Sequence, residues 1–257
     1  MKFVRYAHRD EIGAGILEED RIRPVRGSIF DSVQPEDRTI PLGQATLLAP
    51  VLPSKIVAVG LNYKDHAAER NKPLPDEPLL FLKPSTAVIG PHDAIIYPRM
   101  SRRVDYEGEL AFVIGRRAYG LTEADKAEDY IFGYTCCNDV TARDLQDKDK
   151  QFTRAKSFDT FAALGPCLVT GLDPSALAIQ TFLNGDLRQS SNTSNLIFPV
   201  PFLLWFISQV MTLLPGDVVT TGTPAGIGPM HPGDRVDIRI EGIGTLSNQV
   251  LKITSSA

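Results

Sequence analysis

Three acidic side chains stand at alternate positions in Arg103-Val-Asp-Tyr-Glu-Gly-Glu-Leu-Ala-Phe-Val-Ile-Gly115, and the segment then becomes wholly apolar. In a strand, Asp105, Glu107 and Glu109 share one face. Glu107 and Glu109 would then project side by side at the edge of a core that Leu110 to Ile114 enter. Two such carboxylates repel each other and resist desolvation unless positive charge lies between them. A divalent cation with oxygen ligands answers that cost. A half-exposed strand with an acidic solvent face is the plain alternative. Asp105 has no role that the sequence defends.

Other residues with chemical potential lie elsewhere in the chain. His66, one of four histidines, sits in Leu61-Asn-Tyr-Lys-Asp-His-Ala-Ala-Glu-Arg70, and on a helix it shares a face with Glu69, three residues on. A carboxylate bonded to an imidazole fixes its tautomer and raises its basicity, as a general base requires. A ligand role for His66 ranks below that, because three acids already make an oxygen set. Asp139 either caps the helix that follows it or supplies the third acid, with Glu107 and Glu109, of an octahedral Mg2+ or Mn2+ site. Arg143 and Gln146 are three apart on that helix and are either surface residues or site residues. Lys156 has neighbours that read as half-buried. Thr223 lies in Thr221-Gly-Thr-Pro-Ala-Gly-Ile-Gly228, where backbone N–H groups and a hydroxyl could hold a carboxylate. The loop lacks the lysine and spacing of a P-loop, which excludes a nucleotide site.

The elements that carry these residues are short and mostly strands. Residues 2–6, 14–18 and 21–25 read as strands, followed by a Pro-rich boundary at 52–54, so residues 1–52 form a small N-terminal β module and residues 53–257 the main domain. Strands are expected at 55–60, 79–82, 130–137, 167–170, 237–240 and 245–254, with a hairpin at Asn184-Gly185. A short helix with a capping-box start is expected from Thr122, and a longer apolar one from Pro201 over 202–213. Asn71 to Pro78 holds no core residues and reads as a mobile loop. Leu214 to Asp217 and His231 to Asp234 read as tight turns. The class is mostly β with short helices, α+β. Few βαβ units are present, which argues against a doubly wound sheet.

Composition narrows the classes of function. A net charge of −4 argues against a nucleic-acid partner. The longest apolar run, 202–207, is too short to cross a bilayer. The charged start holds no signal-peptide stretch, and three cysteines without a C-x-x-C suit buried thiols in a cytoplasmic protein.

Taken in order, Val59 to Glu69, Leu80-Phe-Leu-Lys-Pro84, Asp105 to Leu110, Asn138 to Gln146, Ala155-Lys-Ser-Phe-Asp-Thr-Phe161 and Thr221 to Gly228 resemble the fumarylacetoacetate hydrolase family. The resemblance extends to its acylpyruvase and 2-hydroxyhepta-2,4-diene-1,7-dioate isomerase-like branch. It implies a mixed β-sandwich roll and a homodimer. It also implies Mg2+ or Mn2+ on Glu107, Glu109 and Asp139, a water-activating pair of His66 and Glu69, and Lys156 as a catalytic cation. Arg143, Gln146, Thr223 and Lys83 become the expected substrate contacts. Val59 to Leu61 carries no acid where the founding branch has a further ligand, which sets fumarylacetoacetate itself aside. The expected reaction is hydrolytic C–C cleavage of an acylpyruvate-type 2-oxo acid. Isomerisation of a hydroxymuconate-type acid and oxaloacetate decarboxylation are the enzymatic alternatives, and a metal-dependent 2-oxo acid binding module is the non-enzymatic one.

Overall fold

A computed structural model describes residues 1–252. Its main sheet runs in the order Gln34–Pro35, Arg21–Arg26, Glu11–Glu18, Lys2–His8, Ala162–Val169, Ile131–Asp139, Gly108–Ile114, Val218–Thr220, Ile56–Gly60 and Leu79–Lys83. The N-terminal strands therefore continue the sheet of the main body, through pairs such as Phe3 with Leu168. A second sheet holds Ala94–Tyr97, Gly244–Lys252, Arg235–Ile240, Ala178–Leu183 and Asp186–Asn192. A third, small sheet sets Val104–Tyr106 between Thr141–Ala142 and Gly228–Met230. The chain is mostly β with short helices, as its strand-length apolar runs imply.

The Gly108–Ile114 strand lacks alternation because it is buried on both faces. Leu110, Phe112 and Ile114 enter a core shared with Val57, Val59 and Leu203, whereas Ala111 and Val113 enter another with Ile56, Leu164 and Val218. Period two then puts Glu109, and Glu107 just before the strand, on the face of Ala111 and Val113. Gly108 lies between them with no space for a side chain: a Cβ there would meet Thr181 Oγ1 at 2.2 Å.

Several boundaries differ from the sequence reading for physical reasons. Asp125 accepts from both the N–H and the hydroxyl of Thr122, closing a turn where a helix is expected, and only a single 3-10 turn follows at Ala127–Asp129. The long helix spans Val200–Val210, ending earlier than expected because Leu213 exchanges backbone hydrogen bonds with Ala118. The helix expected after Asp139 begins only at Arg143, because Thr141–Ala142 pairs as a strand with Val104 and Asp105. Asn184 and Gly185 both have positive φ, 54° and 88°, as a two-residue type I′ hairpin turn requires. The last two residues of the expected 245–254 strand lie outside the described residues. No helix among the described residues is long and apolar enough to cross a membrane.

Candidate active site

The register of two central strands assembles the acidic cluster. Gly108 pairs with Asn138, and Asp139 N–H donates to Glu107 C=O at 2.9 Å, so the carboxylates of Glu107, Glu109 and Asp139 converge. One oxygen from each lies within 4.8 Å of the others, and all three residues are buried. Asp139 caps no helix: the helix after it starts from Ala142 without a side-chain cap.

Positive charge reaches two of the three acids. Lys156 Nζ donates to Glu107 Oε2 at 2.7 Å and to Asp139 Oδ2 at 2.6 Å, and Arg143 donates to Glu107 Oε1. Burial alone would raise the Glu107 carboxyl, but Lys156 and Arg143 outweigh it and hold the group down at about 2. The same acids raise Lys156 against the lowering effect of its own burial. Glu109 is treated differently. It accepts the Gly222 N–H at 2.8 Å, and no lysine, arginine or histidine among the described residues pairs with it. Burial, then repulsion from Asp139 and Glu107, pushes its carboxyl well above the usual value. A divalent cation beside Glu109 removes that cost, so the donor set fits a hard cation with oxygen ligands.

His66 lies on the short helix Lys64–Glu69, with Nδ1 at 2.9 Å from Glu69 Oε2. The other Glu69 oxygen accepts the Gly226 N–H at 3.0 Å, and Asp65 accepts from the Ser191 hydroxyl. Two carboxylates on this helix are thus tied to two segments that are distant in sequence. Ionised Glu69 only accepts, so it takes the Nδ1 hydrogen and leaves Nε2 as the basic nitrogen.

His66, Arg143, Gln146, Lys156 and Thr223 line one cavity of about 120 Å3 together with the three acids. Two expected substrate contacts act otherwise. Lys83 is absent from the cavity wall and wholly buried; its Nζ lies 2.6 Å from Asp139 Oδ1, poorly aligned for a hydrogen bond but close enough to pair, and it donates to Lys156 C=O at 2.5 Å. It braces an acid and the backbone of Lys156 from behind. Thr223 reaches the cavity, but its hydroxyl donates to Gly108 C=O at 3.0 Å and accepts from Gln189 Nε2 at 2.8 Å, so its one hydrogen is committed. The loop around it does hold carboxylates, through the N–H groups of Gly222 and Gly226, but they are the protein's own Glu109 and Glu69.

Two supporting residues escaped the sequence reading. Asp105 is fully buried and accepts from Arg143 Nε at 2.9 Å and Arg103 Nε at 2.9 Å, so it aims the guanidinium that meets Glu107. Its alternation with Glu107 suggested an acid on the same face; its partner, 38 residues away, could not be foreseen. Gln189 is equally buried and accepts the Gly108 N–H at 3.0 Å while donating to Thr223 and Pro224. Asp105→Asn is expected to cost about 1 to 3 kcal/mol of stability, since Arg143 then loses an ionised partner in a buried position. An unchanged denaturation midpoint would remove this bracing role.

Residues 55–251 match the family model described as fumarylacetoacetate (FAA) hydrolase C-terminal, and residues 1–50 match one described as Rv2993c-like, N-terminal. The chain belongs to the fumarylacetoacetate hydrolase family. Within that family, an uncharacterised protein of Archaeoglobus fulgidus is 61% identical over 225 residues, covering 88% of each chain. The mitochondrial oxaloacetate tautomerase FAHD2B of Bos taurus is 44% identical over 225 residues, 82% of this chain and 71% of that one. The crystal structure of 2-hydroxyhepta-2,4-diene-1,7-dioate isomerase from Mycobacterium marinum superposes with a TM-score of 0.92 at 43% identity, covering 99% of this chain and 100% of that chain.

Proposed function

We propose that this fumarylacetoacetate hydrolase family member is a divalent-cation-dependent enzyme that moves a proton between the keto and enol forms of a 2-oxo acid. The observation that carries this reading is the convergence of a carboxylate-oriented imidazole and three buried acids on one small cavity. Similarity to a tautomerase and an isomerase supports proton transfer as the shared step.

A cation held by Glu107, Glu109 and Asp139 would draw electron density from the 2-oxo group and stabilise the negative charge that develops there. The protein's own groups supply the rest. His66 Nε2 takes the proton from the carbon next to the carbonyl and delivers it to the enolate oxygen, and the reverse transfer turns enol to keto, while Glu69 stabilises the imidazolium that forms between the two steps. Lys156 has three donors, two of them spent on Glu107 and Asp139, and the third is free for the substrate oxygen. Gln146 accepts from Arg143 through Oε1, which leaves its amide N–H groups to donate to the substrate carboxylate.

The same imidazole suits water activation, so C–C hydrolysis of an acylpyruvate is the second reading, with His66 deprotonating water that attacks the distal carbonyl. Enol absorbance and proton NMR with oxaloacetate and acetylpyruvate, in Mg2+ or Mn2+ and then in EDTA, separate the two. The first reading expects cation-dependent keto–enol interconversion without fragments, and release of acetate with pyruvate would favour the second. No cation-dependent change in either acid would sink both.

A further inference from the structure

One buried side chain joins the His66 helix to the loop that holds Glu109. Asn62 is fully buried and stands one residue before Tyr63, the cap of the helix that carries His66. Its amide is bonded at both ends. Nδ2 donates to Thr221 C=O at 2.8 Å and to Phe198 C=O at 3.1 Å, and Oδ1 accepts the Phe198 N–H at 2.8 Å. Two carbonyls on one side and an N–H on the other fix which end is nitrogen. The Thr221 carbonyl belongs to the same peptide group as the Gly222 N–H, and that N–H donates to Glu109 Oε2 at 2.8 Å. Asn62 and Glu109 therefore hold one peptide group from opposite ends. Gly222 sits at φ 92°, and a Cβ there would meet the Asn62 Cβ at 2.9 Å, so only glycine lets the two segments come this close.

We infer that Asn62 is a positioning residue of the cation site, setting the Thr221–Gly222 peptide so that its N–H engages one oxygen of Glu109 and leaves the other for the cation. The inference rests on the cation-dependent reading above and adds to it how the acid without a lysine or arginine partner is aimed. Gly222 N–H is the single hydrogen-bond donor to Glu109 among the described residues, so the orientation of that peptide decides where the carboxylate is held. Thr221 is anchored through its own N–H and hydroxyl to Leu110 C=O, so what Asn62 adds is the rotation of the peptide that follows. A donor on the carbonyl end also polarises the peptide and strengthens the N–H at the other end, by roughly 10 to 30% per bond in a chain of hydrogen bonds. Because the chain enters the His66 helix just after Asn62, one side chain sets the ligand and the base in a common frame.

Titration calorimetry with Mn2+ compares Asn62→Ser with Asn248→Ser. The second is the same substitution at another buried asparagine, whose Nδ2 donates to Gly90 C=O and Asp93 C=O, both at 2.9 Å, and which lines a different cavity beside His92 and Arg235. Asn62→Ser is expected to bind Mn2+ about 10- to 100-fold more weakly than the parent, the usual loss when a group that orients a metal ligand is removed. Asn248→Ser is expected to melt lower with the parent's affinity. Parent affinity in Asn62→Ser, or an equal loss in both variants, overturns the inference and leaves the cation site standing. A measurement on the parent chain decides the matter if Asn62→Ser does not fold. In proton–nitrogen NMR, saturating Mg2+ is expected to shift the Asn62 side-chain amide resonances, through the peptide that joins them to Glu109, and to leave those of Asn248 in place. Asn62 resonances that move no more than those of Asn248 overturn the inference. A parent that binds neither Mn2+ nor Mg2+ overturns the proposed function, and the inference with it.

Discussion

Glu109→Ala is expected to bind Mn2+ at least about 100-fold more weakly than the parent chain in titration calorimetry, since even residues that merely support metal ligands cost 10- to 100-fold when lost. The expectation rests on the imbalance in the cluster. Glu107 and Asp139 already hold Lys156, whereas Glu109 has a single backbone N–H and two neighbouring acids. Without a cation its ionised form is the unfavourable one, so Glu109→Gln should melt no lower than the parent in EDTA at neutral pH while losing the same affinity. A pH dependence follows with a definite sign. The folded-state pKa of Glu109 is raised above the ordinary 4.5, so the stability linked to this group is fully present below that value and is lost as pH rises through the raised one. A cation must displace that proton, so Mn2+ affinity and the thermal stabilisation it brings should both grow with pH above 4.5. Affinity that is flat with pH, or retained in Glu109→Ala, would move the metal site elsewhere.

His66→Ala is expected to lower kcat by about 10^2 to 10^4-fold, the span of a lost general acid or base, with Mn2+ affinity nearly unchanged. The two readouts separate a base from a ligand. His66 pairs with Glu69 and is not among the converging acids, so loss of the imidazole should leave the cation in place. Glu69→Gln should cost less than His66→Ala, since the ring remains, but it should also change the pH profile. An amide at that position no longer dictates which ring nitrogen carries the hydrogen. Calorimetry showing equal collapse of metal binding and turnover in His66→Ala would make His66 a ligand and remove the proposed base.

The supporting residues show where reading the chain alone stops. Asp105 looked idle because strand periodicity reports which face a side chain occupies and says nothing of what approaches that face. Arg143 arrives there only because Thr141–Ala142 pairs with Val104 and Asp105. Lys83 read as a substrate contact, yet the pairing of Leu79–Lys83 with Ile56–Gly60 buries its ammonium behind Asp139. Gln189, in the exposed-looking arm of a hairpin, is drawn inward to bridge Gly108 and Thr223. Thr223 itself carries a hydroxyl whose hydrogen is already taken, a fact about its neighbours and not about threonine. Each of the side-chain contacts involved spans more than thirty residues of chain, where local propensity carries no information.

By itself the sequence determined the strand-rich class, the Asn184-Gly185 hairpin, the acids at 107 and 109, and the His66 and Glu69 pair, because all of these depend on residues a few positions apart. The glycine between the two acids also implies close approach by another segment, and Thr181 supplies it. The tertiary structure decided which acids keep a cation partner and which do not. It also decided that Lys156 faces the cavity while Lys83 lies buried behind Asp139. The physical reason is that charge in a buried site is governed by distance and desolvation, and both are set by long-range strand pairing that no local pattern encodes.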